Sequence, residues 1–352
     1  MEEKKKTARE IIEGYDGPPV RIMEVCGTHT HEIFRLGIRK LLPEQVELIS
    51  GPGCPVCVTQ VGFIDEAIYL ALERQVTICT FGDLVRVPGT NMSLAGAREK
   101  GAKIRIVYSP VDAKEYAKEH PKEQVTFLSV GFETTTPSAC LSVKKAREEG
   151  LTNYSILTAN KTMPQAYEAL KGSADIFLYP GHVNAITGTK LCEELAKEGV
   201  SGVVAGFTAK ELLTALAVAL ARFQEGRSFF VNCYPRVVTE NGSPQAQKLI
   251  EEMMEPCDSE WRGLGVIKGS GMRLQEEWSA FDARKKYKIP PIQGKANPAC
   301  RCGDVLQGKC KPSDCKVFGK ICTPQHPVGA CMVSGEGACS AYYMYGEAEK
   351  MK

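Results

Sequence analysis

The stretch FIDEAIYLALERQVTICTF, residues 63–81, joins an amphipathic segment to a short β-branched run. Ile64, Ala67, Ile68 and Ala71 follow the i, i+3, i+4, i+7 spacing of one helix face, and VTICTF (76–81) reads as the strand that follows. The same rhythm runs outward from it. VRIMEV (20–25) and VELIS (46–50) lie upstream and KIRIVYS (103–109) downstream, each with room for an intervening helix.

A polar segment, DAKEYAKEHPKE (112–123), separates this set from a second one: QVTFLSVGF (124–132), YSILTAN (154–160), DIFLYPG (175–181), GVVAGF (202–207) and SFFVNCY (228–234). The expected fold class is α/β, with two similar doubly wound parallel-sheet lobes at residues 1–111 and 112–240. A cysteine-rich iron-sulfur domain is expected over 241–352. The glycines of GVIKGSGMRL (265–274) match neither a P-loop nor a dinucleotide fingerprint and are expected to form loops.

The chain has 352 residues, of which 44 are Lys or Arg and 42 Asp or Glu, so it carries no basic excess for nucleic acid or an anionic membrane surface. Its longest apolar run, LLTALAVAL (212–220), is half a bilayer span and is flanked by Glu211 and Arg222. The N-terminal MEEKKKTARE lacks the apolar core of an export signal. A cytoplasmic protein is expected, with neither nucleic acid nor membrane as partner. Fifteen cysteines in such a chain point to metal ligation or thiol chemistry rather than a disulfide framework.

Ligands of doubly wound sheets bind beyond the carboxyl ends of the strands. The chemically distinctive loops fall there: CGTHTHE, GPGCPVC, GFETTTP, PGHVNAITG and AGFTAKE. Cys26 ends a strand before a helix start, where the helix dipole favours a thiolate, and His29 stands close by. A buried small hydrophobe beside surface histidines is the plain alternative. Cys54 and Cys57 flank Pro55 at a second helix start, as in a redox dithiol; a chance pair or a zinc site are the other readings. Glu133 and His182 end buried strands, where capping or structural roles compete with ligand contact.

Seven cysteines lie between 300 and 339, at positions 300, 302, 310, 315, 322, 331 and 339, with no C-x-x-C knuckle among them. Scattered thiolates in a Gly- and Pro-rich segment suit an iron-sulfur cluster better than structural zinc.

Together CGTHTHE, GPGCPVC, GFETTTP, PGHV and GACMVSGEGACSAYY closely resemble the hydrogenase maturation factor HypD family, from about Val20 to the C-terminus. The resemblance implies two α/β lobes, a 4Fe-4S cluster, and a role in building an iron carrying two cyanides and one carbon monoxide. It implies that Cys26 binds this transient iron together with a HypC-like chaperone, while a HypE-like partner donates cyanide. Cys54 and Cys57 become the cleft dithiol. Cys302, Cys315, Cys322 and Cys339 become cluster ligands, leaving Cys300 and Cys331 as a redox pair. Thr208 and Ala209 stand where the family pattern has an acid and a proline. Whether the chain turns over as an enzyme or serves as a scaffold stays open. A stand-alone iron-sulfur disulfide reductase and a zinc-stabilised binding module are the alternatives.

Overall fold

The computed structural model describes residues 6–346, so part of the N-terminal stretch read above lies outside the described residues. Among the described residues eleven strands build two sheets. In chain order they are β1 (Val20–Glu24), β2 (Val46–Ser50), β3 (Thr77–Thr80), β4 (Ile104–Ile106), β5 (Val125–Gly131) and β6 (Tyr154–Lys161). There follow β7 (Ile176–Pro180), β8 (Ser201–Ala205), β9 (Phe230–Asn232), β10 (Met254–Trp261) and β11 (Gly265–Leu274).

One sheet has the order β2-β1-β7-β8-β9 and is parallel throughout. The other has the order β10-β11-β6-β5-β3-β4; its four inner and edge strands β3 to β6 are parallel, and β11 joins β6 antiparallel. The expected class, two parallel-sheet α/β lobes with a cysteine-rich tail, is the observed one.

The sheets do not divide at residues 111 and 112, however. The chain lays down β1 and β2, crosses to the second sheet for β3 to β6, returns for β7 to β9, and crosses again for the β10–β11 hairpin. Each parallel pairing requires a long crossover, and nothing obliges the partner strand to be the next one in sequence.

Central strands read as continuous apolar runs because both faces are covered: every residue of β5, β6, β7 and β8 is buried. The helix Val61–Glu73 buries Phe63, Ile64, Ala67, Leu70 and Ala71 against β3 and its neighbours, close to the face expected from its periodicity. Burying one such Leu contributes roughly 1.5–3 kcal/mol.

The glycines of 265–274, expected as loops, form strand β11. Gly263 and Gly265 take positive φ at the hairpin turn, and Gly271 leaves room for the side chains of Cys257 and Ser259 on the paired strand. The tail beyond residue 290 has little regular structure. It fills the seam between the lobes: Cys302, Leu306 and Cys331 join one apolar core, and Ala330 and Val333 join that of the second sheet. At its end, the helix Ala338–Tyr345 packs Tyr342 on Phe34 with ring centroids 4.5 Å apart.

Candidate metal and thiol centre

Cys26 follows β1 and is the N-cap of the helix Gly27–Arg35. The Gly27 N–H donates to the Gly53 carbonyl at 3.0 Å, and a Cβ at Gly53 would collide with the backbone of Cys26. The CGTHTHE and GPGCPVC loops therefore lie back to back. Thr28, His31, Pro55 and Val56 line one open cleft with Phe81, Tyr108 and Glu336, so residues flanking both sulfur motifs border a common space, with the sulfurs buried behind it.

The thiolate expected at Cys26 is not what its surroundings favour. Only 1% of the residue is exposed, and burial together with the nearby Glu336 carboxylate pushes the thiol up to about 12 despite the N–H groups of His29 and Thr28. A helix N-terminus contributes a fraction of a kcal/mol up to about 2, whereas withdrawing a charge from water costs more. Glu336 is a residue the sequence motifs did not single out. It accepts from the Thr28 hydroxyl at 2.8 Å, and its backbone closes over Gly27. A lone acid between glycines, sited between two cysteines of the tail, is the only signal that marks it.

Cys54 is the N-cap of the short helix Pro55–Val58. The Cys57 N–H donates to the Cys54 sulfur at 3.2 Å, and the two sulfurs lie 2.6 Å apart. Both are buried, and burial raises the Cys57 thiol well above its ordinary value, offset by contact with the Cys331 thiol. Cys331 in turn lies 2.7 Å from Cys302, sulfur to sulfur, and also meets Cys339. A continuous line of thiols thus runs from Cys54 into the tail.

Cys300, Cys302, Cys315, Cys322, Cys331 and Cys339 line one cavity with Val305, Val317, Phe318 and Met332. Six soft donors around an apolar pocket suit an iron-sulfur cluster. Among the described residues no three His, Cys, Asp or Glu side chains converge as a ligand set for a single metal ion. Ligands to one zinc stand about 3.8 Å apart, from Zn–S bonds of about 2.3 Å in a tetrahedron. Cys302 lies against Cys331 and also meets Cys300, whereas the family resemblance implied Cys300 with Cys331 as the pair. A C-x-C places both first cysteines at the same cavity and does not say which sulfur turns toward which neighbour.

The remaining site residues, His29, Glu133 and His182, sit at the carboxyl ends of β1, β5 and β7. His29 is fully buried; its Nε2 donates to the Gly206 carbonyl at 3.1 Å, and Nδ1 has no partner. His29 and His182 lie on Phe207 at 4.9 and 5.1 Å between ring centroids. Burial lowers both imidazoles to about 4, so both are neutral near pH 7. Glu133 Oε1 accepts from the Met163 N–H at 2.8 Å, while Oε2 is buried without a partner. Burial raises this carboxyl to about 7.

Beneath Cys26, buried Glu24 accepts from Arg39 Nη2 at 2.5 Å and from the Thr30 hydroxyl at 2.6 Å. Arg39 also stacks over Phe34, which ties the tail helix to the Cys26 helix. Sequence pattern alone carries no signal for this buried pair.

Two interleaved parallel-sheet lobes gripping a cysteine-lined tail define a cysteine-centred α/β protein. The family profile described as Hydrogenase formation hypA family, HypD, matches residues 2–346. Hydrogenase maturation factor HypD of Cupriavidus necator is 41% identical across 95% of this chain and 92% of its own length. The HypD proteins of Escherichia coli and Rhodobacter capsulatus are each 44% identical over 94% of this chain and 90% of their own lengths. The chain belongs to the HypD family of hydrogenase maturation factors. No helix among the described residues is long and apolar enough to cross a membrane.

Proposed function

We propose that this chain is the thiol scaffold on which the iron of a nickel-iron hydrogenase receives two cyanides and one carbon monoxide. The iron is its cargo, taken by Cys26 together with a sulfur of a HypC-like chaperone, with a HypE-like partner bringing cyanide. The observation that carries the reading is the thiol line from the cleft to the tail, Cys54, Cys57, Cys331 and Cys302.

Cys300, Cys315, Cys322 and Cys339 are the residues that would hold a 4Fe-4S cluster, with Cys302 and Cys331 as the pair. This exchanges Cys300 and Cys302 relative to the division the resemblance implied. Two sulfurs 2.7 Å apart do not suit separate corners of one cluster, and they do suit a thiol pair. The cluster, when bound, supplies single electrons.

The chain's own sulfurs then exchange as follows. With Cys54 and Cys57 as a disulfide, the Cys331 thiolate attacks the Cys57 sulfur and releases Cys54 as a thiolate. Cys302 attacks Cys331, closes the Cys302–Cys331 disulfide and releases Cys57. Two electrons pass to the cleft, and the thiols deprotonated in the tail are matched by protons taken up at Cys54 and Cys57. The neutral imidazole of His29 leaves its Nδ1 lone pair as a further acceptor behind Cys26.

Burial weighs against a stand-alone disulfide reductase: Cys54 and Cys57 are 2% and 0% exposed, out of reach of a protein disulfide. Infrared spectroscopy of the chain co-purified anaerobically with a HypC-like partner tests the scaffold reading. Cyanide and carbonyl stretching bands are expected, and should vanish in Cys26→Ala; bands that persist in that variant would overturn it.

A further inference from the structure

A second cleft, of about 700 Å³, opens where the loops 86–93, 295–298 and 325–328 meet. Arg86, Arg262, Lys295 and His326 line it, and no Asp or Glu does. None of the four enters an ion pair among the described residues. Arg86 gives one N–H to the Pro324 carbonyl at 2.7 Å and the rest of its fork stays free for a ligand.

Arg262 supplies the independent observation. Its Nε donates to the Thr59 carbonyl at 2.9 Å, which fixes the guanidinium plane, yet its Nη2 is buried with no partner. A buried guanidinium N–H without an acceptor carries a desolvation cost of about 1–3 kcal/mol, more for a charged group, unless something accepts from it. Neutral donors from Asn91 and Asn297 complete the lining.

We propose that this cleft binds a phosphate-type oxyanion, either inorganic or as the phosphate groups of a small metabolite. Guanidinium and ammonium groups lining one cleft, none of them in an ion pair among the described residues, match the charge of such an anion, and the guanidinium fork matches its geometry. No Phe, Tyr or Trp lines the cleft, so it offers no large aromatic face to a nucleobase, and recognition rests on the phosphate. Arg262 connects the site to the dithiol: its backbone N–H donates to the Val58 carbonyl at 2.8 Å, at the end of the Pro55–Val58 helix. Anion binding here does not depend on the scaffold reading.

The test is titration calorimetry on the full chain, purified anaerobically, with phosphate, pyrophosphate and ADP, against chloride at matched ionic strength. Pyrophosphate should bind at one site with an affinity that falls as salt rises, and ADP should bind no more tightly. Arg86→Ala and Lys295→Ala, both at exposed positions that leave the core intact, should each weaken pyrophosphate about tenfold. Absence of heat with phosphate and pyrophosphate, or unchanged affinity in both variants, would overturn the proposal. ADP binding more than tenfold tighter than pyrophosphate would overturn the assignment to phosphate alone.

Discussion

The Cys57 thiol touches that of Cys331, so a cysteine of the first sixty residues meets one from the last twenty-five at the seam between the lobes. Cys331 is 1% exposed and also meets Cys302. Its replacement by Ser should therefore cut the thiol line while leaving any cluster in place. In anaerobic Cys331→Ser protein, visible absorbance from the cluster should persist. Added dithionite should no longer convert the oxidised Cys54–Cys57 pair to thiols, as counted by alkylation and mass spectrometry. Reduction at the wild-type rate would refute the relay.

The division of the tail cysteines has its own discriminating pair. Cys300→Ser should lose most of the iron and sulfide that co-purify with the chain, whereas Cys302→Ser should retain both. The opposite result, with iron lost only on replacing Cys302, would restore the division that the family resemblance implies.

How much of this was legible in the sequence follows from the range of each signal. Parallel strands buried on both faces announce themselves locally, which is why VTFLSVG and SILTAN were readable as β5 and β6. Their partners were not: pairing of β1 with β7 is set by tertiary contact, and no local period encodes it. Pro55 at a helix start marked the Cys54–Cys57 geometry correctly because capping is local. At Cys26 the same argument failed, since burial, with the Gly53 loop packed on its backbone, and the charge of Glu336 far along the chain raise its thiol. The β11 glycines misled for a related reason: Gly271 is required by Cys257 and Ser259 opposite it, a constraint visible only once the hairpin forms.

Glu133 gives a pH signature. Its carboxyl is raised to about 7 by burial, against 4.5 as the ordinary value. Folded protein thus holds a proton there that unfolded protein has already lost. The resulting stabilisation is complete below pH 4.5 and disappears as pH rises through 7, a difference on the order of 3 kcal/mol at about 1.4 kcal/mol per unit. Glu133→Gln keeps the acceptor for the Met163 N–H and cannot ionise. Urea midpoints from pH 5 to 8 should slope downward more steeply in wild type than in the variant. Parallel curves would show that Glu133 does not titrate in this range.

The Ser334–Gly337 segment closes over the start of the Cys26 helix, through Glu336 on Thr28 and through the His31 ring, whose Nδ1 meets the Gly335 carbonyl at 3.1 Å. Removing the Glu336 carboxylate takes away both the anchor on Thr28 and the negative charge that opposes ionisation of the thiol. Each effect favours attack by an alkylating agent: loss of the anchor frees the loop that covers a residue 1% exposed, and loss of the charge raises the thiolate fraction. Glu336→Gln retains a hydrogen-bond acceptor for the Thr28 hydroxyl and removes only the charge; Glu336→Ala removes both. Iodoacetamide labelling of Cys26, followed by peptide mass spectrometry at pH 8, should accelerate in both variants and more strongly in Glu336→Ala. A gain of about tenfold there corresponds to about 1.4 kcal/mol, close to the lower end of the range for a hydrogen bond to a charged group. Equal rates in wild type and Glu336→Ala would mean that the loop does not guard the thiol.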